Sequence, residues 1–520
     1  MTGISTGGWN MADTKAPGTG APRPSPDALA LGVSRPDLEL MDLPELEEVF
    51  GVEHIGFKQI VKFAVGPSLI ALGISIGSGE WLLGPLNIGR SGWAGLGWVI
   101  LVSALLQVFF NVECARYVTA TGEVPVVGWG RVPPGVKFWV PFSVFVLFFA
   151  FIWGGWAAGA GQGLFSLING RLATEADLTQ VRWLAIGLLA LVFVITALSR
   201  RVSRGLELVN WVLVGSILIL LLLVDLFLVP FDLWWEGIKG FFTFQKPPEG
   251  ISATDLGGLA GFTALASGLN WYVMSHYRDK GYGMGHRIGY ISGLRGDRKE
   301  IRAVGVTFPD DEKNERIWKR WYRFLLIDMW GVFFIGAMLG MFLPTILMRR
   351  AVELSGTTPD DATVPTFVAG VMDVEYGRFM FYVILLMGTF ILFTTQLGIF
   401  EALIRNFTDA ANGTSSRFRQ MVAGDPRRFY YPFMIFVLII VGILLFQSLP
   451  VRLISISANM SNFGALMFPF MLIYLNRRLP RIARPKAHHT VILLLNFLFF
   501  GFFFLNFVFE QITGDALVTF

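Results

Sequence analysis

A break inside a long apolar segment decides the fold, and it lies in the stretch FAVGPSLIALGISIGSGEWLLGP, residues 63–85. About 20 apolar residues suffice for an α-helix to cross a membrane. The middle of this stretch reads Gly77-Ser78-Gly79-Glu80, which puts two glycines and a carboxylate near the bilayer centre. A charged side chain at that depth costs about 2.5 kcal/mol or more, and non-helical backbone is tolerated there only where it lines protein or water. We therefore predict a helix broken in two at a buried polar site.

A comparable interruption occurs in GGLAGFTALASGLNWYVMSHY, residues 257–277. Small and polar residues again lie at mid-depth, namely Ser267, Gly268 and Asn270, and the backbone near Ala264 would be released from the helix beside them. Gly and Ser are also common where membrane helices pack closely. Paired interruptions in corresponding segments of two halves, however, are the best sequence indication of a transporter binding site. We expect both breaks to face one shared site.

The composition is that of an integral membrane protein. Of 520 residues, 54% are hydrophobic and only 15% are charged, whereas soluble domains carry about 25% charged residues. This excludes a soluble enzyme, a disordered scaffold and a nucleic-acid-binding protein. The single cysteine, Cys114, excludes a disulfide framework and a multi-cysteine metal site. The sequence contains no evident nucleophile–base set or metal triad. We therefore expect no enzymatic activity and no cofactor other than a bound divalent cation or a coupling ion (H⁺ or Na⁺).

Eleven apolar spans follow the amino-terminal region, so the predicted fold class is all-α with 11 transmembrane helices. The first ten divide into five plus five, with the two breaks in spans one and six. An odd number of spans in each half inserts the halves in opposite orientations, which predicts an inverted repeat with discontinuous helices 1 and 6. In the eighth segment an amphipathic piece precedes the span proper, 379–404. The segments lie near residues 60–85, 93–115, 138–168, 181–199, 206–229, 255–277, 322–346, 365–404, 430–448, 452–475 and 489–511.

Loops divide the chain and orient it in the membrane. Residues 1–36 are rich in Gly, Pro, Ser and Thr without periodicity, which predicts that the cytoplasmic tail 1–56 is largely disordered, with a short surface helix near 41–56. Lys and Arg concentrate in alternate loops, which predicts a cytoplasmic amino terminus and an outside carboxyl terminus in the cell (inner) membrane, with membrane lipid around the protein. The further divisions are spans one to six in 57–277, a cytoplasmic loop in 278–321, spans seven to ten in 322–475, and a linker with span eleven in 476–520.

Three segments, and more loosely a fourth over residues 395–402, resemble the Nramp family of metal-ion transporters, which belongs to the group with the LeuT fold. Gly66-Pro67 followed by the break at 77–80 resembles the start of the family's first helix, Asp-Pro-Gly-Asn. Residues 114–122 (CARYVTATG) resemble the family's Ala-Arg-Leu-Gly-x-x-Thr-Gly, and residues 462–469 (NFGALMFP) resemble Gln-Leu-Pro-Phe-x-x-x-Pro. The resemblance implies a LeuT-like five-plus-five repeat. It also implies secondary-active transport of a metal ion by alternating access, at a mid-membrane site between helices 1 and 6.

The metal-binding motifs of the family are absent at the matching positions. The family's first-helix aspartate, a metal ligand, falls on Gly77, its asparagine falls on Glu80, and the methionine of Met-Pro-His-Asn falls on Ser267. The missing thioether is a ligand that favours softer transition metals. Asn270 keeps the family's asparagine, and Asn462 stands where the family has a glutamine. The resemblance is therefore to a divergent member, and it implies a hard divalent cation of the Mg²⁺ or Mn²⁺ type.

The residues themselves leave more than one substrate open. Glu80, Asn270 and Asn462 could hold a divalent cation together with hydroxyls and released carbonyls, an oxygen-only set typical of hard cations. An amino acid or small organic ion, coupled to H⁺ or Na⁺, would instead bind at the positive amino ends of the half-helices. Trp81, Trp271 and Tyr272 would then form the walls of an apolar pocket. A sensor that binds its ligand without transport is a third possibility, and Glu80 could also act only as a helix cap.

Other ionisable residues inside the spans are candidates for coupling or gating, because such residues are rare in membranes and usually functional. Asp328, Glu401 and Arg405 could form a proton or gating relay. Glu113 and Arg116 are one helical turn apart, a spacing that predicts a local ion pair. The candidates are Asp328 in the seventh span, Glu401 and Arg405 in the eighth, His276 at the end of the sixth, and Glu113 and Arg116 at the inner end of the second.

Overall fold

The structure, a computed structural model, describes residues 67–77, 79–198, 202–289, 304–446 and 450–520, together with 45, 46, 48 and 302. Most of the predicted tail, its expected surface helix, Ser78 and part of the predicted loop 278–321 therefore lie outside the described residues. Within the described ranges the named elements are helices. The extended pairing found there is an isolated antiparallel bridge between Ser252 and Thr519.

The main helices are numbered here in chain order. A π-helical turn, Gly79–Leu83, precedes α2, a 3-10 segment, Ser267–Val273, lies between α9 and α10, and a second π-helical segment, Ile327–Phe334, joins α11 to α12. The helices are α1 (Pro67–Ser75), α2 (Gly84–Ser91), α3 (Gly97–Thr121), α4 (Val136–Phe151), α5 (Gly155–Asn169), α6 (Leu178–Leu198), α7 (Val202–Leu228), α8 (Phe231–Phe242), α9 (Ala253–Phe262), α10 (Ser275–Lys280), α11 (Glu312–Leu326), α12 (Ile335–Ser355), α13 (Phe367–Tyr376), α14 (Arg378–Thr414), α15 (Arg427–Leu444), α16 (Pro450–Gly464), α17 (Phe468–Asn476) and α18 (Ala487–Thr513).

Ten segments of the described chain are long and apolar enough to cross a membrane, by length and composition. The sequence predicts eleven, and the difference is the segment 255–277. There α9 ends at Phe262 and α10 begins only at Ser275, so the segment contains no helix of sufficient length. The count of eleven and the assignment of discontinuous transmembrane helices 1 and 6 therefore stay predictions. The ten segments are Pro67–Ser91, Gly97–Thr121, Val136–Asn169, Glu175–Leu198, Leu208–Leu228, Glu312–Ser355, Arg378–Thr414, Arg427–Leu444, Val451–Asn476 and Ala487–Thr513.

The two interrupted segments lie inside the helix packing. The turn Gly79–Leu83 packs against α9, α12 and α16, and the 3-10 segment Ser267–Val273 packs against α3 and α16. Residues 67–77 and 256–279 are buried throughout. Non-helical backbone needs polar partners that hydrocarbon cannot supply, so these segments must be surrounded by protein. The outer helices α6, α7 and α15 carry the exposed apolar residues instead, for example Trp183 and Phe227.

A third interruption, which sequence reasoning missed, divides the predicted span 138–168. Helix α4 ends at Phe151, and Gly154 has a left-handed φ of 68° before α5 begins. Glycine adopts this conformation without a steric penalty. The sequence signal was the pair Gly154-Gly155 within an aromatic and apolar segment. As a result, the predicted third span consists of two helices joined by a turn.

The eighth segment, 365–404, begins with a separate amphipathic helix, as its charges predicted. Helix α13 carries Asp373 and Glu375 and ends at Gly377, which has a φ of 82°. Helix α14 then runs for 37 residues from Arg378 to Thr414. It continues past the predicted end at 404, which places further charged residues on the same rigid element.

The carboxyl terminus is attached to the segment before α9. The amide of Gly250 donates to the carbonyl of Phe520 (2.9 Å), and the amide of Ala253 donates to that of Val518 (2.9 Å). Both regions must therefore lie on one side of the protein. The predicted topology puts both outside the cell, and that orientation stays a prediction.

Candidate functional site

Glu80 connects the two interrupted segments directly. Its Oε1 accepts hydrogen bonds from the Ser75 hydroxyl (2.6 Å) and from the backbone amide of Ala264 (3.1 Å). Ser75 ends α1, whereas Ala264 lies in the gap after α9. The carboxyl group is fully buried, and its Oε2 has no hydrogen-bond partner among the described residues. One oxygen therefore holds the two breaks together.

Glycines allow the first break to approach its neighbours. A Cβ on Gly79 would lie 2.7 Å from the carbonyl carbon of Phe262, and a Cβ on Gly77 would lie 2.8 Å from the carbonyl oxygen of Ile391. Real Cβ atoms do not come that close to backbone. Sequence reasoning assigned these glycines to a ligand site, and the structure assigns them a packing role as well. Ser78, predicted as a ligand, lies outside the described residues.

The second break contains two residues with left-handed backbone that are not glycine. Ala264 has a φ of 69° and Ser267 a φ of 43°. For residues with a Cβ such conformations cost on the order of 1–3 kcal/mol and persist only where the surroundings enforce them. Such strain is concentrated at functional sites. The segment between α9 and the 3-10 turn is thus held in place by its contacts.

Gln107 of α3 provides most of those contacts. Its side-chain NH₂ donates to groups at the end of α9, and its carbonyl oxygen accepts from the start of the 3-10 segment, so a single side chain bridges the gap. It is completely buried. The donor side reaches Ser103 Oγ (3.2 Å) and the carbonyls of Ala260 (3.2 Å) and Thr263, and the acceptor side receives the amides of Ala266 (3.0 Å) and Ser267 (2.9 Å) and Asn270 Nδ2 (3.1 Å).

Sequence reasoning missed Gln107. The available signal was an amide side chain in the middle of an otherwise apolar helix, where it must find a partner. Apart from Ser103, its partners lie more than 150 residues further along the chain, so no local pattern could identify them.

The predicted ligand residues of the second break have different surroundings. Asn270 accepts from the amide of Ala266 (2.6 Å) and donates to Gln107, so its amide group caps the 3-10 segment. The Ser267 hydroxyl is buried and has no hydrogen-bond partner among the described residues. Asn462 of α16 donates to the carbonyl of Gly257 (2.9 Å), while its Oδ1 has no partner in the described part of the chain. Hydrogen bonds thus join Glu80 to Ala264, and Ser267 and Asn270 to Gln107, while Asn462 approaches α9 from α16.

The described residues contain no group of three or more His, Cys, Asp and Glu side chains that could hold a metal ion. A cation at this site would therefore be bound by one carboxylate and by neutral oxygens. Three of the predicted ligand oxygens are buried and have no hydrogen-bond partner in the described part of the chain, namely Glu80 Oε2, Ser267 Oγ and Asn462 Oδ1. Oxygen ligands suit hard cations such as Mg²⁺ and Ca²⁺, which readily keep bound waters.

An aromatic cluster lies beside the second break. The ring of Tyr272 is 4.8 Å from that of Phe151, and the ring of Phe262 is 5.8 Å from that of Trp156. The Tyr272 hydroxyl is buried and has no hydrogen-bond partner among the described residues. Trp271, predicted as a wall residue, packs instead against Phe468 and Trp129. The turn between α4 and α5 therefore supplies apolar walls that the sequence did not indicate.

Asp328 forms a separate cluster in the seventh segment. It lies in the π-helical segment Ile327–Phe334, a type of irregularity that is frequent at functional sites. Tyr277 donates to Asp328 Oδ2 (2.7 Å), and the Ser68 hydroxyl donates to the carbonyl of Asp328 (3.2 Å). These contacts join α1, α10 and the seventh segment. Glu401 contacts Arg405, Tyr430 and His276. A relay that joins Asp328 to Glu401 and Arg405 stays a prediction.

The remaining candidates are in ion pairs. Glu113 and Arg116 form the predicted pair (3.0 Å), and His489 of α18 lies 2.9 Å from the same carboxylate. Glu401 and Arg405 are also paired, and His276 Nε2 lies 3.4 Å from Glu401 Oε2. The first pair lies within α3 and contacts α18 through His489. The second lies within α14 and contacts α10 through His276.

No protein-family model matches this chain, and no curated protein matches it. Solved structures do. A manganese transporter of Eremococcus coleocola, crystallised with an aromatic bis-isothiourea substituted compound, is 14% identical, with 91% of each chain covered and a TM-score of 0.54. A mutant form of that transporter gives a TM-score of 0.55 at the same identity and coverage. MhsT in complex with L-phenylalanine is also 14% identical, covering 84% of this chain and 98% of its own, with a TM-score of 0.52. The chain therefore shares the LeuT fold of these structures.

Gly79 offers a direct test of the close approach between the breaks. Gly79→Ala is expected to lower the free energy of unfolding by about 1–3 kcal/mol, as overpacking does, because the added methyl meets the Phe262 carbonyl. Gly187→Ala is the matched control, since a Cβ at Gly187 meets nothing within 4 Å. Thermal denaturation of the purified proteins measures both. Equal melting temperatures for the two variants would contradict the close approach.

Proposed function

We propose that this protein is a secondary-active membrane transporter of the Nramp-like type that moves a small cation, first of all a hard divalent metal ion. The observation that carries the proposal is Glu80. Its carboxylate ties the two interrupted segments together and keeps one buried oxygen without a partner among the described residues. Burying a carboxylate without a compensating partner is costly, and a cation would supply that partner.

The neighbouring oxygens support a hard cation. Ser267 and Asn462 each present a buried oxygen without a described hydrogen-bond partner. No thioether or thiolate belongs to the proposed ligand set, and soft metals prefer such ligands. One carboxylate neutralises only half the charge of a divalent ion, so the bound ion would retain several waters, as Mg²⁺ commonly does.

Alternating access would arise from movement of the helices that carry the two breaks. We propose that α1 and α9–α10 are halves of the discontinuous helices 1 and 6 of a five-plus-five repeat. The cluster of Ser68, Tyr277 and Asp328 would then close the side predicted to be cytoplasmic, because it joins both half-helices to the seventh segment. The eleventh span, the cytoplasmic amino terminus and the outside carboxyl terminus belong to the same proposal.

The second candidate is an amino acid or a small organic ion coupled to H⁺ or Na⁺. The aromatic cluster of Phe151, Trp156, Phe262 and Tyr272 favours it, since apolar walls beside a few polar groups are typical of sites for small organic molecules. A single carboxylate would suffice for the amine of such a solute. A fold shared with MhsT, solved with L-phenylalanine, is compatible with this alternative.

Calorimetry on the purified protein separates the candidates. We expect heat of binding with Mg²⁺ or Mn²⁺, a weaker response to Cd²⁺, and none with a panel of amino acids. A preference for Cd²⁺ would contradict an oxygen-only site, and binding of amino acids alone would establish the second candidate. Uptake into reconstituted vesicles then distinguishes a transporter from a sensor, which would bind the ion without flux.

A further inference from the structure

An apolar groove of about 780 Å³ lies between α6 and α15 on the outside of the helix packing. Both helices belong to segments that are long and apolar enough to cross a membrane. Eleven residues line the groove, and each is aliphatic, aromatic or glycine. Two of them, Ile439 and Ile443, are more than half exposed. The groove shares no residue with the site around Glu80, so it is a separate feature of the fold.

The groove is concave because small residues lie between large ones. Ala190 on α6 and Gly442 on α15 carry little or no side chain, whereas Phe193 and Phe446 line the groove beside them. A Cβ built on Gly442 would meet one described atom within 4 Å, Ile186 Cγ1 at 3.9 Å. The space above Gly442 is therefore open, and a ligand can approach the backbone of α15 there.

The length of the groove matches the depth of one membrane leaflet. Its lining residues on α15 extend from Ile435 to Phe446, a distance of about 16 Å at a rise of 1.5 Å per residue. The hydrocarbon core of a bilayer is about 30 Å thick, so each leaflet contributes about half of it. A lipid acyl chain that lies along α15 would therefore contact the groove through the depth of its own leaflet.

A positive charge lies at one end of the groove. Arg182 is near the start of α6, and its guanidinium carbon is 5.3 Å from the centre of the Phe446 ring. Asp177, five residues earlier, pairs with Arg171 instead (2.6 Å), and Arg182 forms no ion pair with a described carboxylate. The neighbouring Trp183 is 63% exposed, and tryptophan is enriched at membrane–water interfaces. These features place an unpaired guanidinium at the depth of the lipid headgroups.

We propose that this groove binds one phospholipid with a negatively charged headgroup, with an acyl chain lying over Ala190 and Gly442 and the phosphate at Arg182. Arginine recognises phosphate through a planar set of N–H donors. Within hydrocarbon, the apolar lining contributes van der Waals packing, so the selectivity between lipids comes from the charge. A partner helix would cover the apolar lining but would leave Arg182 without a counter-charge.

Native mass spectrometry of the full protein in neutral detergent tests the groove by counting bound lipids. We expect dioleoyl phosphatidylglycerol to occupy one tight site. Gly442→Leu places a side chain in the groove and should raise the dissociation constant of that site by about tenfold, the equivalent of overpacking. An unchanged constant would overturn the proposal.

Gly187→Leu is the matched control for Gly442→Leu. Gly187 is an exposed glycine of α6 that does not line the groove, so the same substitution there should leave the dissociation constant unaltered. Equal losses in the two variants would show that the lipid does not occupy the groove. A change of oligomeric state in Gly442→Leu with unaltered lipid binding would assign the groove to a second copy of the chain, which would also overturn the proposal.

Arg182→Gln tests the headgroup contact and does not depend on the folding of Gly442→Leu. We expect it to lower the preference for phosphatidylglycerol over phosphatidylcholine by about tenfold, the size of a hydrogen bond to a charged group. Lys239→Gln is its control, because Lys239 also lies beside an aromatic ring, that of Trp235 (5.6 Å), but is on α8. Lys239→Gln should keep the native preference. An equal preference in Arg182→Gln and the native protein would refute binding of the phosphate by Arg182.

Discussion

Glu80→Gln is expected to reduce cation uptake into reconstituted vesicles by about 100-fold or more, equivalent to ~2.7 kcal/mol. The amide keeps the size of the side chain and still accepts from Ser75 and Ala264 through one oxygen. It removes the negative charge at the oxygen that has no described partner. Removing one partner of a buried charge interaction costs about 2–5 kcal/mol in typical cases, about the size expected here.

Glu249→Gln is the control for this experiment. Glu249 is exposed in the segment before α9, so the same chemical change should leave uptake unaltered. Melting temperatures of both variants separate loss of function from loss of fold. Uptake by Glu80→Gln at the native rate would show that Glu80 only caps a half-helix, and the proposed cation site would then have no charged ligand.

Gln107→Leu is expected to destabilise the protein by about 3 kcal/mol and to abolish transport. The substitution leaves the amide of Ser267 and the carbonyl of Thr263 without their described partner. Each buried backbone group without a hydrogen bond costs about 1–3 kcal/mol. The strained backbone of Ser267 would then lose the contact that holds it, so the second break would no longer present its polar groups to Glu80.

Gln162→Leu is the matched control for Gln107→Leu. Gln162 donates one described side-chain hydrogen bond, to the carbonyl of Ala362 (2.9 Å), and it is only partly buried. Its replacement should change stability by at most about 1 kcal/mol. Thermal denaturation in detergent measures both variants, and a comparable small effect for the two glutamines would refute the role of Gln107 as the bridge across the break.

Several features of the site were predictable because their signals are local. Glycines beside an acid in an apolar stretch mark a helix interruption, and the residues 77–80 have this pattern. The ion pairs of Glu113 with Arg116 and of Glu401 with Arg405 follow from helical spacing. In each case the relevant residues lie within about one helical turn of one another, so these features can be predicted from the sequence without knowledge of the tertiary structure.

Other features depend on residues that are far apart in the chain. The role of Gln107 as a hydrogen-bonding bridge can be identified only from the packing of α3 against the segment that follows α9. The pairing of Asp279 with Arg405 crosses more than a hundred positions, and the contacts of Asp328 with Tyr277 and of Glu401 with His276 also join segments that are far apart in the chain. The turn between α4 and α5 was not predicted because the Gly154-Gly155 pair lies within a continuous aromatic and apolar segment, which has the pattern of a single membrane-spanning helix.

The sequence by itself determined that this chain is an all-helical membrane protein with polar residues inside two of its apolar segments, because segment length, hydropathy and the position of charged residues follow from the order of residues along the chain. Only the tertiary structure decided which side chains make hydrogen bonds to the backbone at those positions, and which buried oxygens have no described hydrogen-bond partner. The physical reason is that hydrogen bonds across a break are made by side chains of other helices. Their positions follow from how the helices pack, which no local pattern specifies.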